Sequence, residues 1–181
     1  MILNVKKYLP NTLTLLRFPM AGFCFFHALD LNRDSQIISL VFFTLAAITD
    51  FFDGYFARRW SLVSDFGKIA DPIADKALTL GAMAAFWAAG IFPAWALIII
   101  SLREISITLI RLQLLPKKIV LAAIYSGKLK TVLQIAMLIL IYLFNIAGIY
   151  GHLLIKALII LTTAVTIYSG AEFFIKNRGR I

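Results

Sequence analysis

The chain has 181 residues, 61% of them hydrophobic, with a mean hydropathy of +0.90 and a formal net charge of +9. Those values fall outside the range of soluble globular domains and read as an all-α integral membrane protein. A lone cysteine, Cys24, excludes an intramolecular disulfide framework, and the 18 basic residues punctuate apolar runs without forming a basic domain, so no nucleic-acid partner is expected.

Residues 1–9 are too short to span a bilayer and mix apolar with basic side chains, which predicts a short N-terminal interfacial segment. Pro10, followed by Asn11 and Thr12 as possible caps, opens a first span over about 12–29. No small-residue cleavage site follows it, so it reads as an uncleaved anchor. Residues 30–34 make a short outer loop and a second span covers about 35–57. A third runs from Gly67 to about Ile91, with Pro72 kinking its first turns or marking its start. The tight Gly90-Ile91-Phe92-Pro93 connection leads to a fourth span at about 93–114, an antiparallel neighbour of the third. A basic loop over 115–128 precedes spans at about 129–147 and 152–174, which turn at Gly148 and Gly151, and a basic tail follows. Six transmembrane helices without internal repeat make one membrane-embedded domain over residues 1–181.

Cations fix the orientation, because short cytoplasmic loops carry the excess of Lys and Arg. Of the 18, only Arg33 and Lys156 fall on one side; the other 16 fall on the side of both termini. A multi-pass protein of the cell membrane is expected, its termini and the acidic stretch described next all cytoplasmic.

Residues 50–76 hold five of the nine acidic residues, Asp50, Asp53, Asp65, Asp71 and Asp75. A charged side chain near a bilayer centre costs about 2.5–3.5 kcal/mol on insertion scales, so a cluster needs compensation. Asp50 and Asp53 are three apart and Asp71 and Asp75 four apart, so each pair projects from one helix face. Gly54 and Ala57 on the first face, and Gly67 one turn before Asp71, allow close backbone approach. Four carboxylates without His or Cys make an all-oxygen site suited to magnesium, manganese or calcium, not zinc. The same residues could instead line a cation or proton path, the reading of a transporter. Asp65 reads as a solvated loop charge.

The string Asp50-x2-Asp53-Gly54-x2-Ala57-Arg58-x8-Gly67-x3-Asp71-x3-Asp75 resembles the signature of the CDP-alcohol phosphotransferase family at all eight fixed positions. The resemblance implies a homodimeric, magnesium-dependent membrane enzyme, with manganese as a substitute, in which an alcohol displaces CMP from CDP-diacylglycerol. It implies that Asp50, Asp53, Asp71 and Asp75 hold two metals, that Asp75 is also the general base on the acceptor hydroxyl, and that Gly54, Ala57, Arg58 and Gly67 lie on the nucleotide side. Arg103-Glu104, Arg111, the stretch from Gly127 through Lys128, Lys130 and Thr131 to Gln134, the run Pro10-Asn11-x2-Thr14-x2-Arg17, and Ser169-Gly170-x-Glu172 resemble the branch of that family whose acceptor is glycerol 3-phosphate. Arg103, Arg111 and Lys128 are then the expected phosphate contacts. A sibling acceptor such as phosphatidylglycerol is the nearest alternative. Leu109 departs from that branch, which usually carries glycine there, and the departure bears on the shape of the acceptor pocket.

Overall fold

The computed structural model describes the backbone of residues 2–59, 65–116 and 124–179, with side chains described for 16–49, 70, 72–116 and 124–179. Six helices account for nearly all of it: α1 (Ile2–Leu29), α2 (Arg33–Arg59), α3 (Asp65–Ala88), α4 (Ala94–Leu114), α5 (Tyr125–Ile146) and α6 (Leu153–Asn177). No strand occurs among the described residues. The chain forms two compact units, residues 1–85 and 86–181.

In the first unit, α1 runs unbroken from Ile2 through Pro10, so no separate segment ends there as the sequence predicts. A helix is the way to satisfy every backbone polar group where water is scarce, and it tolerates proline on that account. Asp30 makes the turn into α2, its Oδ1 accepting from the Asn32 amide at 3.0 Å and its Oδ2 from the Ser35 hydroxyl at 2.8 Å. Those two donors, the amide first, hold its carboxyl below the usual carboxylate range. Gln36, fully buried, donates to the Asp30 carbonyl at 2.7 Å. Residues 17, 21, 24 and 28 of α1 and 36, 39, 43 and 46 of α2 are buried at spacings of three and four, the pattern of two helices packed along a seam. Small Ala21, Cys24, Ala28 and Ala46 let the backbones close in, and the Ser39 hydroxyl donates to the Cys24 carbonyl at 2.8 Å.

In α3, Pro72 lies inside the helix, which starts at Asp65. Asp65 therefore belongs to the first turn and not to a loop, where an acidic residue suits the positive end of the helix dipole.

The second unit buries a polar cluster beside its apolar core and turns large apolar side chains outward. On α4, Ile98, Leu102, Ile105 and Leu109 are exposed while Glu104 is 1% exposed. On α5, Val132 is 64% exposed while Ser126, Lys130 and Gln134 are buried. On α6, Ile160, Ile167 and Ile175 face out while Thr162, Thr166 and Ser169 face in. Water as the surrounding solvent selects the opposite arrangement. By length and composition α5 and α6 qualify as membrane spans, and the apolar part of α1, Leu16–Leu29, is shorter. α2, α3 and α4 carry charges that lower their mean hydropathy, although the outward side of α4 is continuously apolar.

Candidate active site

Helical geometry gives Asp50 and Asp53 one face of α2, and Asp71 and Asp75 one face of α3. Gly54, Ala57 and Arg58 are in the last turns of α2 and Gly67 is in the first turn of α3. The side chains of Asp50, Asp53, Ala57, Arg58 and Asp71, and the surroundings of Gly54 and Gly67, lie outside the described residues. Asp75 is described. Its carboxyl is partly exposed, Oδ2 lies 3.2 Å from Lys76 Nζ, and Oδ1 has no hydrogen bond among the described residues. Buried Ala74, Leu78 and Thr79 pack around the same turns, and the Thr79 hydroxyl donates to the Asp75 carbonyl at 3.1 Å. One carboxylate oxygen of Asp75 thus remains open to a hard cation or to a hydroxyl proton, which fits an all-oxygen metal site. Among the described side chains no three acidic, His or Cys groups gather, three of the four aspartates being outside them.

A fully buried cation on α1 joins this half. Arg17 is 1% exposed. The Ser39–Cys24 contact fixes the antiparallel register of α1 and α2, and continuing it brings Arg17 level with Ala46, one turn before Asp50. Sequence reasoning gave Arg17 no role, although the run Pro10-Asn11-x2-Thr14-x2-Arg17 singles it out. An arginine wholly withdrawn from solvent in an apolar helix is a functional signal of its own.

In the second unit α4, α5 and α6 build a connected polar network. Arg103 Nη1 donates to Glu104 Oε1 at 3.2 Å and Arg103 Nη2 to the Ser169 hydroxyl at 2.7 Å. Glu104 also accepts from Lys130 Nζ and, at 3.4 Å, from Gln134 Nε2, which reaches Thr166 at 3.4 Å. Among the described residues the cluster holds two cations and one carboxylate. Arg103 Nε is buried and has no hydrogen-bond partner among the described residues. An orphaned charged donor there calls for an acceptor, and an anionic oxygen supplies one. At the end of the network Ser126 donates to Glu172, which accepts from Lys176 Nζ at 2.6 Å.

Of the three expected phosphate contacts, Arg103 is in this network. Arg111 shares its side of α4 but is exposed, its guanidinium carbon 5.7 Å from the Phe173 ring centroid. Lys128 is exposed, whereas Lys130 is 4% exposed and paired with Glu104. The difference comes from the start of α5, which includes Tyr125 to Lys128 where the sequence suggests the end of a loop; once helical, positions 126, 130 and 134 share the inner face and 128 does not. Leu109 is exposed on α4, on the side away from Glu104, and so does not shape this network.

Residues 7–168 match the CDP-alcohol phosphatidyltransferase family. A probable phosphatidylglycerophosphate synthase of Mycobacterium tuberculosis is 32% identical over 170 residues, covering 91% of this chain and 79% of the relative. A CDP-diacylglycerol–glycerol-3-phosphate 3-phosphatidyltransferase of Bacillus subtilis is 35% identical over 144 residues, covering 79% of this chain and 75% of the relative. One of the same name from Mycoplasma genitalium is 41% identical over 100 residues, 55% of this chain and 42% of the relative.

Proposed function

Because the chain belongs to the CDP-alcohol phosphatidyltransferase family, we propose that it transfers the phosphatidyl group of CDP-diacylglycerol to sn-glycerol 3-phosphate, giving phosphatidylglycerophosphate and CMP. It is a membrane enzyme of phospholipid biosynthesis. The observation that carries the reading is the eight-position aspartate motif, complete in the sequence and set on α2 and α3 within the matched region.

The reaction breaks the bond between the β-phosphorus and the CMP oxygen and forms one to the acceptor hydroxyl oxygen. Asp50, Asp53, Asp71 and Asp75 would hold divalent metal, magnesium in this reading with manganese as a substitute. When bound, a metal pair neutralises the pyrophosphate and stabilises the leaving CMP. Asp75 takes the hydroxyl proton on its open oxygen. Gly54, Ala57, Arg58 and Gly67 line the nucleotide side, and Arg17 supplies a buried positive charge at the level of the first aspartates. Arg103, Arg111 and Lys130 receive the acceptor phosphate, with Lys128 left at the surface. Arginine grips a phosphate bidentately, and the free Nε of Arg103 suits that role.

Six spans in one membrane-embedded domain, with the working end and both termini cytoplasmic, agree with the 16 to 2 partition of cations and with the large apolar side chains that α4, α5 and α6 turn outward. A homodimer is part of the same reading, by family resemblance.

Purified enzyme in detergent, given CDP-diacylglycerol with glycerol 3-phosphate, phosphatidylglycerol, serine or inositol in turn, is expected to release CMP rapidly only with the first. Excess chelator is expected to abolish release, and magnesium or manganese to restore it. Preference for another acceptor overturns the substrate; full activity in chelator overturns the metal site.

Gly170 gives a second test. A Cβ there would meet Arg103 Cγ at 3.2 Å, and the Arg103 head is already tied to Glu104 and Ser169, so the side chain yields only by giving up one of those contacts. Gly170→Ala is expected to raise the KM for glycerol 3-phosphate about tenfold, the worth of one charge-assisted contact, with the KM for CDP-diacylglycerol unchanged. Initial rates with each substrate varied separately measure it.

A further inference from the structure

The other end of the second unit holds a cavity of about 460 Å³ bounded by the Gly90–Pro93 turn, the Tyr150–His152 turn and the first turns of α4 and α6. Both turns are fixed by glycine in the left-handed region, Gly90 at φ 78° and Gly151 at φ 67°. Lys156 lies thirteen residues before Ser169 on α6, about 20 Å along the helix axis at 1.5 Å per residue, so the cavity is separate from the Arg103 network.

Its lining is graded along α6. Ile155 and Ile159, four apart and buried, form the floor, while Lys156 and Ile160, also four apart, are exposed at the rim. Lys156 has no anionic partner among the described residues. His152 Nδ1 accepts the Leu154 amide at 3.2 Å, which places the proton of the neutral ring on Nε2 and makes that nitrogen a donor. Trp95 on α4 and Tyr150 complete the rim, residue types that settle where hydrocarbon gives way to headgroups. A cation and a neutral donor at the mouth, with apolar Ile159 and Ile160 about one turn deeper, match a phosphate above an acyl chain. Among the described residues no carboxylate lines the cavity to receive an ammonium group, which favours an anionic headgroup over a zwitterionic one. The mostly apolar lining favours a lipid over a small free anion.

We propose that this cavity binds one anionic phospholipid from the surrounding leaflet, its phosphate on Lys156 and its acyl chain along Ile160. The site rests on the reading of α4, α5 and α6 as membrane spans and is independent of the reaction assigned to the aspartates. Native mass spectrometry of the full chain in detergent, with phosphatidylglycerol or phosphatidylcholine of identical acyl chains, tests it. The wild type is expected to retain one phosphatidylglycerol per chain severalfold better than phosphatidylcholine. Lys156→Ala is expected to lose that preference and about tenfold of the retention, with CMP release unchanged, since Lys156 is exposed and outside the catalytic machinery. Equal retention of the two lipids by the wild type, or undiminished phosphatidylglycerol retention by Lys156→Ala, overturns the proposal.

Discussion

Asp75→Asn is expected to lower turnover about a hundred- to ten-thousandfold, the range that a positioned general base contributes. The amide keeps the shape of the carboxylate but cannot take the acceptor proton at neutral pH, so the chemical step suffers while the surrounding helix does not. The Thr79 hydroxyl bonds the Asp75 carbonyl, not its side chain, and the buried face of Ala74 and Leu78 is untouched by the exchange. Affinity for CDP-diacylglycerol is therefore expected to fall less than in Asp71→Asn, where a proposed metal ligand without the second role is lost. Single-turnover CMP release separates the two, together with direct binding of the donor. Turnover within a few-fold of wild type in Asp75→Asn would falsify its assignment as the base.

The helical setting of the aspartates was legible because its information is local: two pairs at helical spacing, in a chain with few other acids, fall on α2 and α3 as their spacing suggests. The cationic half was less so, because it depends on where α5 begins. Ile124 is extended and α5 has no side-chain cap, so the sequence offers no marker of that start. Tyr125, Ser126 and Gly127 then pass for loop, and Lys128 and Lys130 look equivalent until the helix is extended back to Tyr125 and its register parts them. Arg17 was hidden differently. In a membrane chain an arginine near a span end reads as an interfacial anchor, and only its near-complete burial distinguishes it. Pro10 misled because the rule that proline opens a helix comes from chains whose broken backbone bonds water can repair.

Glu104→Leu is expected to cost about 3–5 kcal/mol of stability, because it removes a buried carboxylate that both Lys130 and Arg103 contact. Lys130→Met alone is expected to cost a similar amount, because it removes a buried cation paired with Glu104, itself 1% exposed. The double variant replaces the Glu104–Lys130 pair with apolar side chains of comparable volume, and stability is expected to recover in part, because neither half of that pair is left behind while Arg103 still lacks its carboxylate. Thermal unfolding in detergent closes that cycle. Activity is expected to part company with stability. In the double variant Arg103 keeps Ser169 but has lost the carboxylate that orients its fork, and Lys130 is gone, so the KM for glycerol 3-phosphate is expected to rise about ten- to a hundredfold while the KM for CDP-diacylglycerol holds. A double variant that regains stability with a wild-type KM would mean that Glu104 and Lys130 merely hold α4 to α5. The phosphate would then have to be carried by Arg103 and Arg111 alone.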